Sequence, residues 1–573
     1  MSCSYRTFLI NLVLFTAILQ TSCWKETHPA IERVGIVSFD NLTGDSRWNW
    51  LSAAAPQLWK AQILGTPKAV AQVLHNTAEA PQMGATTVLT GYFSIRNGEL
   101  RATVNLTATD TGKARRTIFV QAKDPVSLLT QISAQLELPL RPMPTQNVKA
   151  MEAFGYALQA PSIPQAISFL TTSTTVDPAF GLAWIELIDQ KRLQGDAQGV
   201  IESGKMAVAQ KAIPQLELAE ISLRSLPADA SPVQRLTALE AVARQYPADG
   251  QSASQVANFA VAARLLPKAV EWYRIATDIL PDSPQLWNSK AYAEAFAGEF
   301  ASAQKSIERY RILVPEDPNT FDSFGEILYL QGKFAEAEVA FLAGFAKQPE
   351  AFGGAMMRKG AWSRLRAGDL AGANKIYSQF IAFRKSKNDP FVPLREAQWL
   401  YLTGHHADAK TRLLEFANQS KSPVTWAQLS IWERKEGNQP KASEYAQKAI
   451  QALPAAPQQR NAVAIAALLA QPNASAEVWK QRMNGQPIAA IGMLASNQFS
   501  EAAQFLEQVR TKMNPLQESY WKDLHAIALY RAGNKDAAKA LLKTYSLPET
   551  EEDGIVLCFA YPADQQIRRE LAK

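Results

Sequence analysis

The sequence predicts an α+β protein: a small amino-terminal α/β domain with a mixed sheet, followed by a long all-α solenoid of helical repeats. Two observations support this prediction. Strand-like and helix-like stretches alternate over residues 32–145, and four prolines recur at equal spacing further along the chain. With 573 residues, the chain is also longer than a single hydrophobic core usually serves. Several domains or a repeat array are therefore expected.

Residues 1–22 have the pattern of a secretory signal peptide. Arg6 precedes an apolar stretch over residues 8–19, which is too short to span a bilayer comfortably as a helix. Segment 19–23 (LQTSC) resembles a bacterial lipoprotein signal, in which the cysteine becomes the lipidated first residue. Gln20 departs from that pattern, because the leucine stands one place too early. An ordinary signal cleaved nearby, or an uncleaved anchor, is the alternative.

The lipoprotein resemblance implies a lipid on Cys23 that holds the protein at a membrane. Residues 23–31 would then form a linker, and the mature chain would face the periplasm in the cell envelope, with the outer membrane favoured. Cys3 would leave with the signal, so only Cys558 would remain as a thiol. A single thiol forms no internal disulfide, so the fold is expected to depend on its hydrophobic core alone.

The α/β domain is predicted over residues 32–145 from the order of its elements. Residues 34–39 form a short apolar run typical of a buried strand. Asn97-Gly98 is a strong hairpin signal between two stretches rich in β-branched and aromatic residues. The predicted strands are 34–39, 86–96, 100–109 and 116–121, and the predicted helices are 46–63, 67–77 and 125–136.

Two motifs in this domain resemble the TolB-like domain that often precedes helical repeats in bacterial proteins. The first is VxIVxFxNxTGD over residues 34–45, and the second runs from Gly84 through the hairpin to Gly112. The stretch between the first helix and the hairpin is short, so a strand usual in that family is expected to be reduced or lost. The resemblance implies an accessory or assembly role and supplies no catalytic residues.

A repeat is indicated by Pro247, Pro281, Pro315 and Pro349, which recur at one equal interval. This interval matches the period of about 34 residues that is typical of a repeat built from two helices. Small residues stand at two fixed offsets before the last three of these prolines, and larger apolar residues stand at a third offset. Such positions mark close contacts between paired helices. They are Ala257, Ala291 and Gly325, then Ala269, Ala303 and Ala337, and finally Tyr273, Ile307 and Phe341.

This pattern resembles the tetratricopeptide repeat over residues 147–548. Glycines recur at the turns between paired helices, and weaker copies of the pattern flank the clear ones. We predict roughly nine to eleven helix pairs. The resemblance implies that the pairs stack into a superhelix with a concave surface for proteins or peptides. Residues 549–573 are predicted to be a carboxy-terminal tail or cap.

The concave surface should be lined by residues of the first helix in each pair. The alternative is that these residues are ordinary solvated positions. The family's clamp for a terminal carboxylate is matched by one asparagine alone, and its lysines are missing, so that specificity does not carry over. The six candidate partner-binding residues are Asn258, Asn288, Tyr292, Asp322, Glu326 and Tyr329.

No residue pattern in the chain predicts catalysis. The five histidines lack metal-ligand spacing, and no nucleophile elbow is present, so no enzyme activity, metal or cofactor is expected. The loop at Gly44 lacks a nucleotide-binding motif, and Asp45 or Ser46 is interpreted as a helix cap.

The net charge of +6 is spread along the chain, so nucleic acid is not an expected partner. These features favour a non-enzymatic scaffold for protein partners in the cell envelope. Two alternatives remain at this stage. One is a ligand sensor that uses the first domain, and the other is an enzyme hidden in the solenoid groove.

Overall fold

The computed structural model describes residues 31–455, 474–548 and 566–570. The chain divides into two compact units, Met1–Ser252 and Ala253–Lys573. The boundary predicted near residue 146 therefore lies inside the first unit. The predicted signal peptide, Cys23 and most of the predicted tail lie outside the described residues. In the described part of the chain, no helix is both long enough and apolar enough to cross a membrane.

The first unit contains a mixed sheet, as predicted. Strand order is β3-β1-β4-β5-β6, and the short β2 pairs with β4. Strand β1 runs parallel to both β3 and β4, whereas β4, β5 and β6 are antiparallel to one another. The strands are β1 (Glu32–Val37), β2 (Asp40–Asn41), β3 (Ala69–Leu74), β4 (Thr87–Arg96), β5 (Glu99–Ala108) and β6 (Ala114–Ala122).

The hairpin between β4 and β5 turns at Asn97-Gly98, where the sequence places it. Both residues have positive φ, +53° and +79°, which is the geometry of a type I′ turn. This turn pairs Arg96 with Glu99 and fixes the register of the two longest strands. Leu100, Ala102, Val104 and the other even positions of β5 therefore face the core.

The prediction of a helix over residues 67–77 is wrong. Within that range Ala69–Leu74 form β3, which pairs in parallel with β1 from Ala69 opposite Glu32 to Leu74 opposite Val37. The strand that the family resemblance led us to expect as reduced or lost is therefore present. The run Ala-Val-Ala-Gln-Val-Leu has no strong local preference, so pairing with β1, a tertiary contact, decides its conformation.

Helices and sheet share one hydrophobic core in the first unit. Gly155 lies against the Trp50 carbonyl oxygen, which would be only 2.5 Å from a Cβ at that position. The predicted helices 46–63 and 125–136 are confirmed, the first preceded by a short 3-10 turn capped by Asp45. The helices are α1 (Asn49–Ile63), α2 (Pro125–Ser133), α3 (Val148–Leu158), α4 (Ile163–Val176), α5 (Gly181–Leu193), α6 (Ala197–Val208), α7 (Gln215–Arg224) and α8 (Pro232–Gln245).

The described residues of the second unit form helices and the connections between them, and no strand is present among them. Helix α9 (Gly250–Ala262) crosses the border between the units. The helices that follow it are α10 (Leu266–Ile279), α11 (Pro284–Phe296), α12 (Phe300–Leu313), α13 (Pro318–Leu330), α14 (Phe334–Lys347), α15 (Ala355–Arg366), α16 (Leu370–Ser386), α17 (Val392–Leu402), α18 (His406–Ser420), α19 (Pro423–Lys435), α20 (Gln439–Ala452), α21 (Ala476–Arg482), α22 (Ala489–Ala495), α23 (Phe499–Arg510), α24 (Pro515–Arg531) and α25 (Lys535–Leu541).

The helices from α3 onward are paired, and the described residues contain eleven such pairs together with α21. The repeat prolines each stand just beyond the end of a second helix, as at Pro281 after Ile279 and Pro315 after Leu313. Proline cannot continue a helix, so it ends each pair at the same point. The predicted helix pairs are thus confirmed in the described residues.

The paired helices approach closely where the sequence places small residues. Ala257 and Ala291 are fully buried, and a Cβ added at Gly325 would lie 2.6 Å from the Phe341 ring. The neighbouring repeat has Ala291 and Ile307 at the equivalent positions, and both side chains are buried there. A larger residue on one helix is therefore matched by a smaller one on its partner.

Gly325→Ala should destabilise the second unit by about 1–2 kcal/mol, because the added methyl group would clash with the Phe341 ring. The free energy lost through this overpacking exceeds the free energy gained from the higher helix propensity of alanine. Phe341→Ile alone should also destabilise it, by leaving space. The double variant reproduces the neighbouring Ala291–Ile307 pair. Its shift in the urea midpoint should be smaller than the sum of the single shifts, and strict additivity would contradict this packing.

Candidate partner-binding surface

The first helices of successive pairs place equivalent residues side by side. Tyr292 on α11 and Glu326 on α13 occupy the same position in successive repeats, and the Tyr292 hydroxyl donates a 2.5 Å hydrogen bond to Glu326 Oε2. The next first helix, α15, adds Lys359. Its Nζ atom donates to Asp322 at 2.7 and 2.9 Å and to Glu326 Oε1 at 2.6 Å. Three of the six predicted residues therefore belong to one network.

This network is nearly buried, and its two negative charges and one positive charge determine the pKa shifts of its members. One ammonium group serves two carboxylates that are one helical turn apart, and all three side chains are at most 14% exposed. Burial and the charge of Glu326 raise the pKa of Asp322 to about 6 against the opposing effect of Lys359. Burial acts to lower the pKa of Lys359, but the two carboxylates outweigh it and leave that pKa raised. Lys359 therefore stays charged at neutral pH.

The other three predicted residues lie apart from the network. Asn258 is exposed and accepts a hydrogen bond from the Tyr273 hydroxyl, whereas Asn288 is half-buried. Tyr329 is only 2% exposed; it packs against Phe334 and accepts a hydrogen bond from Arg366 Nε. The prediction that Tyr329 lines an open surface is therefore corrected, because this ring is part of the core.

Residues 543–548, which follow the last helix pair, belong to no helix or strand and contact helices α13, α14 and α24; we call them the strap. The Tyr545 amide donates to the Leu330 carbonyl oxygen at 3.1 Å, at the end of α13. The Tyr545 ring meets Phe334 edge to face at a centroid distance of 4.7 Å. Leu547 is 3% exposed and packs in the cluster formed by α11, α12 and α13, which includes Ala291 and Ile327.

Helix α24 holds the strap from its other side. Lys522 Nζ donates to the carbonyl oxygens of Thr544 and Tyr545, each at 3.0 Å. Ser519 Oγ accepts from the Leu547 amide at 2.8 Å, and the Ser546 hydroxyl donates to Asp523 at 2.9 Å. The backbone of the strap therefore finds its hydrogen-bond partners in helices rather than in a sheet.

Residues near the start and the end of the second unit also meet. Arg264 pairs with Glu518 and donates to the Arg510 carbonyl oxygen at 3.3 Å, across 246 residues of sequence. Arg510 in turn pairs with Glu518, and its Nε atom donates to His525 Nδ1 at 3.0 Å. We call this cluster of Arg264, Arg510, Glu518 and His525 the closure cluster.

His525 is only 1% exposed and is neutral at pH 7. Burial and the adjacent Arg510 cation lower its pKa to about 4. Because Nδ1 accepts a hydrogen bond, the single ring proton lies on Nε2, which is 3.5 Å from Glu507. The imidazole therefore serves as an acceptor that positions Arg510 between two glutamates.

A separate cleft with a volume of about 660 Å³ lies among helices α16, α17 and α18. It contains three carboxylates, those of Glu396, Asp408 and Glu415. Burial acts to raise the pKa of Glu396, but hydrogen bonds from Lys385 and Arg412 outweigh it and leave that pKa lowered. Glu396 is thus a poor general acid, and this cleft does not by itself favour the enzyme alternative. Across the described ranges, no cluster of three or more His, Cys, Asp or Glu side chains is placed to hold a metal ion.

Several residues of this surface were missed by sequence reasoning. Lys359 was hidden because the turn glycines Gly332 and Gly368 are further apart than the regular period, and this insertion shifts the register. Tyr545 and Leu547 follow the last repeat, where no periodic pattern remains. The one available signal was the alternation of apolar and polar residues at positions 545, 546 and 547.

Comparison with known proteins gives only weak similarities. No protein-family model matches the chain, and no curated protein matches it. Among solved structures, MamA protein is 13% identical, with 36% of this chain and 93% of that chain covered and a TM-score of 0.24. Pseudomonas aeruginosa PilF is 13% identical over 42% of this chain and 89% of its own, with a TM-score of 0.21. A tetratricopeptide repeat protein from Parabacteroides merdae is 12% identical over 41% and 94%, with a TM-score of 0.25. Similarities with scores this low establish neither family nor function, so the fold rests on the helix pairs themselves.

The pH dependence of stability provides a test of the closure cluster. A histidine whose folded pKa is depressed contributes stability that is present above its unfolded pKa and is lost as pH falls. For His525 the window runs from about 6.5 down to about 4, and the loss amounts to as much as about 3 kcal/mol. His525→Asn keeps an acceptor for Arg510 but does not titrate.

The urea midpoint of the wild type should therefore fall more steeply between pH 7 and pH 4.5 than that of His525→Asn. Contributions from other groups, such as Asp322, are common to both proteins and cancel in the comparison. Identical pH profiles for the two proteins would show that His525 is not held neutral at this position.

Proposed function

We propose that this protein is a non-enzymatic scaffold that binds protein or peptide partners on the inner surface of its helical repeats in the bacterial cell envelope. The observation that supports this proposal is the strap. The surface formed by α11, α13 and α24 already holds a non-helical peptide segment by its main chain and by two side chains. A surface that binds one such segment has the chemistry to bind another.

Rigidity of this surface supports the same role. Lys359, Asp322 and Glu326 connect α13 and α15, and breaking a buried pair of this kind costs several kcal/mol. The first helices therefore present their side chains in fixed positions, which lowers the entropy that a partner must overcome on binding. The charged network acts as the frame of the surface, and exposed residues such as Asn258 are left to contact a partner.

A photo-crosslinking amino acid at position 258 tests the scaffold proposal. Asn258 is exposed on a first helix, whereas Val339 is 69% exposed on a second helix and serves as the matched control. In intact cells, position 258 should give discrete adducts with specific proteins, and position 339 should not. Equal adduct patterns at both positions, or none at position 258 under varied growth conditions, would count against a partner on the inner surface.

The location of the protein is a second part of the proposal, and it rests on the amino-terminal sequence. A lipid on Cys23 would hold the repeats at a membrane that faces the periplasm, with the outer membrane favoured. Cys23→Ser removes the acceptor sulfur. This variant should move from the membrane fraction to the soluble fraction, with detection by immunoblotting. Unchanged fractionation of the variant would eliminate the lipid anchor.

A further inference from the structure

In the strap, two large side chains that pack against the repeat helices stand on either side of a polar residue. Tyr545 and Leu547, two positions apart, enter neighbouring sites, whereas the Ser546 hydroxyl between them donates to Asp523. The site for Tyr545 is a slot. One wall is Phe334, and the guanidinium groups of Arg366 and Arg568 lie 5.8 and 3.9 Å from the ring centroid.

Such a slot selects for an aromatic ring. Two cations over the ring faces attract its negative π-surface, and an aliphatic side chain lacks that quadrupole. Gly332 completes the slot, since its φ is +82° and a Cβ there would lie 2.9 Å from the Tyr545 ring. A side chain at position 332 would therefore close the entrance.

The site for Leu547 is apolar and deep. Ala291, Ala295, Ile327 and Leu330 surround it, and all four are at most 5% exposed. Small alanines leave room for one branched side chain, and no polar group is present among them to satisfy a charged one. This site therefore selects for leucine or a side chain of similar shape.

The main-chain contacts in between are independent of sequence. Lys522 binds two successive carbonyl oxygens, and Leu330 and Ser519 accept from two amides. Contacts of this kind are made to main-chain groups that every segment carries, so specificity comes from the two side-chain sites.

From this arrangement we infer that the strap occupies a peptide-recognition site whose external ligands are extended segments of partner proteins with an aromatic residue followed, two positions on, by leucine. This inference rests on the proposed scaffold function and names its partner class. The strap begins after α25 ends at Leu541, so its release does not require α25 to unwind. The strap and a partner therefore compete for the same contacts.

Because the strap competes for the site, it should lower the apparent affinity of the protein for a free peptide. The strap is tethered to its own site, so its effective concentration is in the millimolar range, on the order expected for short flexible connections. A free peptide of the same sequence should bind the wild-type protein weakly. Removing the two anchoring side chains of the strap should uncover the site.

The test uses the full chain with Tyr545→Ala and Leu547→Ala, together with a fluorescent, end-blocked peptide of residues 543–548 (KTYSLP). Fluorescence anisotropy should show at least tenfold tighter binding to this double variant than to the wild type. A peptide with both anchors replaced by alanine should not bind. Adding Phe334→Ala to the double variant should abolish binding, whereas adding Val339→Ala, on the same helix but exposed, should leave it unchanged.

Three outcomes would overturn the inference. One is absence of peptide binding to a double variant whose circular dichroism and melting match the wild type. If the double variant does not fold, the single variant Leu547→Ala decides in the same way. Another is equal binding of the alanine-substituted peptide. The third is a wild-type dimer that the peptide dissociates, which would assign the site to the strap of a second copy. Crosslinks at position 258 without peptide binding would leave the scaffold in place and refute only this specificity.

Discussion

The hydrogen bonds of one short segment connect helices α13 and α24 of the second unit. Residues 544–547 belong to no helix or sheet, so the backbone groups that burial removes from water need partners outside regular secondary structure. The Leu330 carbonyl oxygen, at the end of α13, accepts from the Tyr545 amide. From α24, Ser519 accepts from the Leu547 amide and Lys522 donates to two carbonyl oxygens of the segment. Helices that are far apart in sequence are thereby joined through one short peptide. The repeats provide the walls of the site, and the strap shows what those walls can hold.

Two clusters of buried charged side chains fix how the helices of this region are placed. Lys359 is shared by two carboxylates, and Glu518 is shared by Arg264 and Arg510. Such groups stabilise a fold weakly compared with apolar packing, but removing one partner leaves an uncompensated charge. A shift of the helices in either cluster would separate these charges, so each cluster favours a single arrangement of its helices. A surface that must present an aromatic slot beside a leucine site needs that precision.

Sequence reasoning succeeded where a local pattern carries the information. The regular proline spacing fixes the helix pairs, and Asn97-Gly98 fixes the hairpin, because each depends on residues close in sequence. It failed at β3, whose conformation depends on pairing with β1, a strand on the far side of helix α1 in the sequence. Half of the predicted inner-surface residues fell in one network, but Lys359 and the strap came from outside the regular register. Contacts between residues so distant along the chain leave no trace in a single sequence.

Hydrogen exchange at the Tyr545 and Leu547 amides tests most directly whether helices α13 and α24 hold the strap. Both amides donate to defined acceptors, the Leu330 carbonyl oxygen and Ser519 Oγ. In the wild-type protein they should exchange far more slowly than in the free peptide of residues 543–548, and Ser519→Ala should accelerate Leu547 more than Tyr545. Exchange of both amides at the rate of the free peptide would contradict a bound strap, and with it the account of this surface as a peptide-holding site.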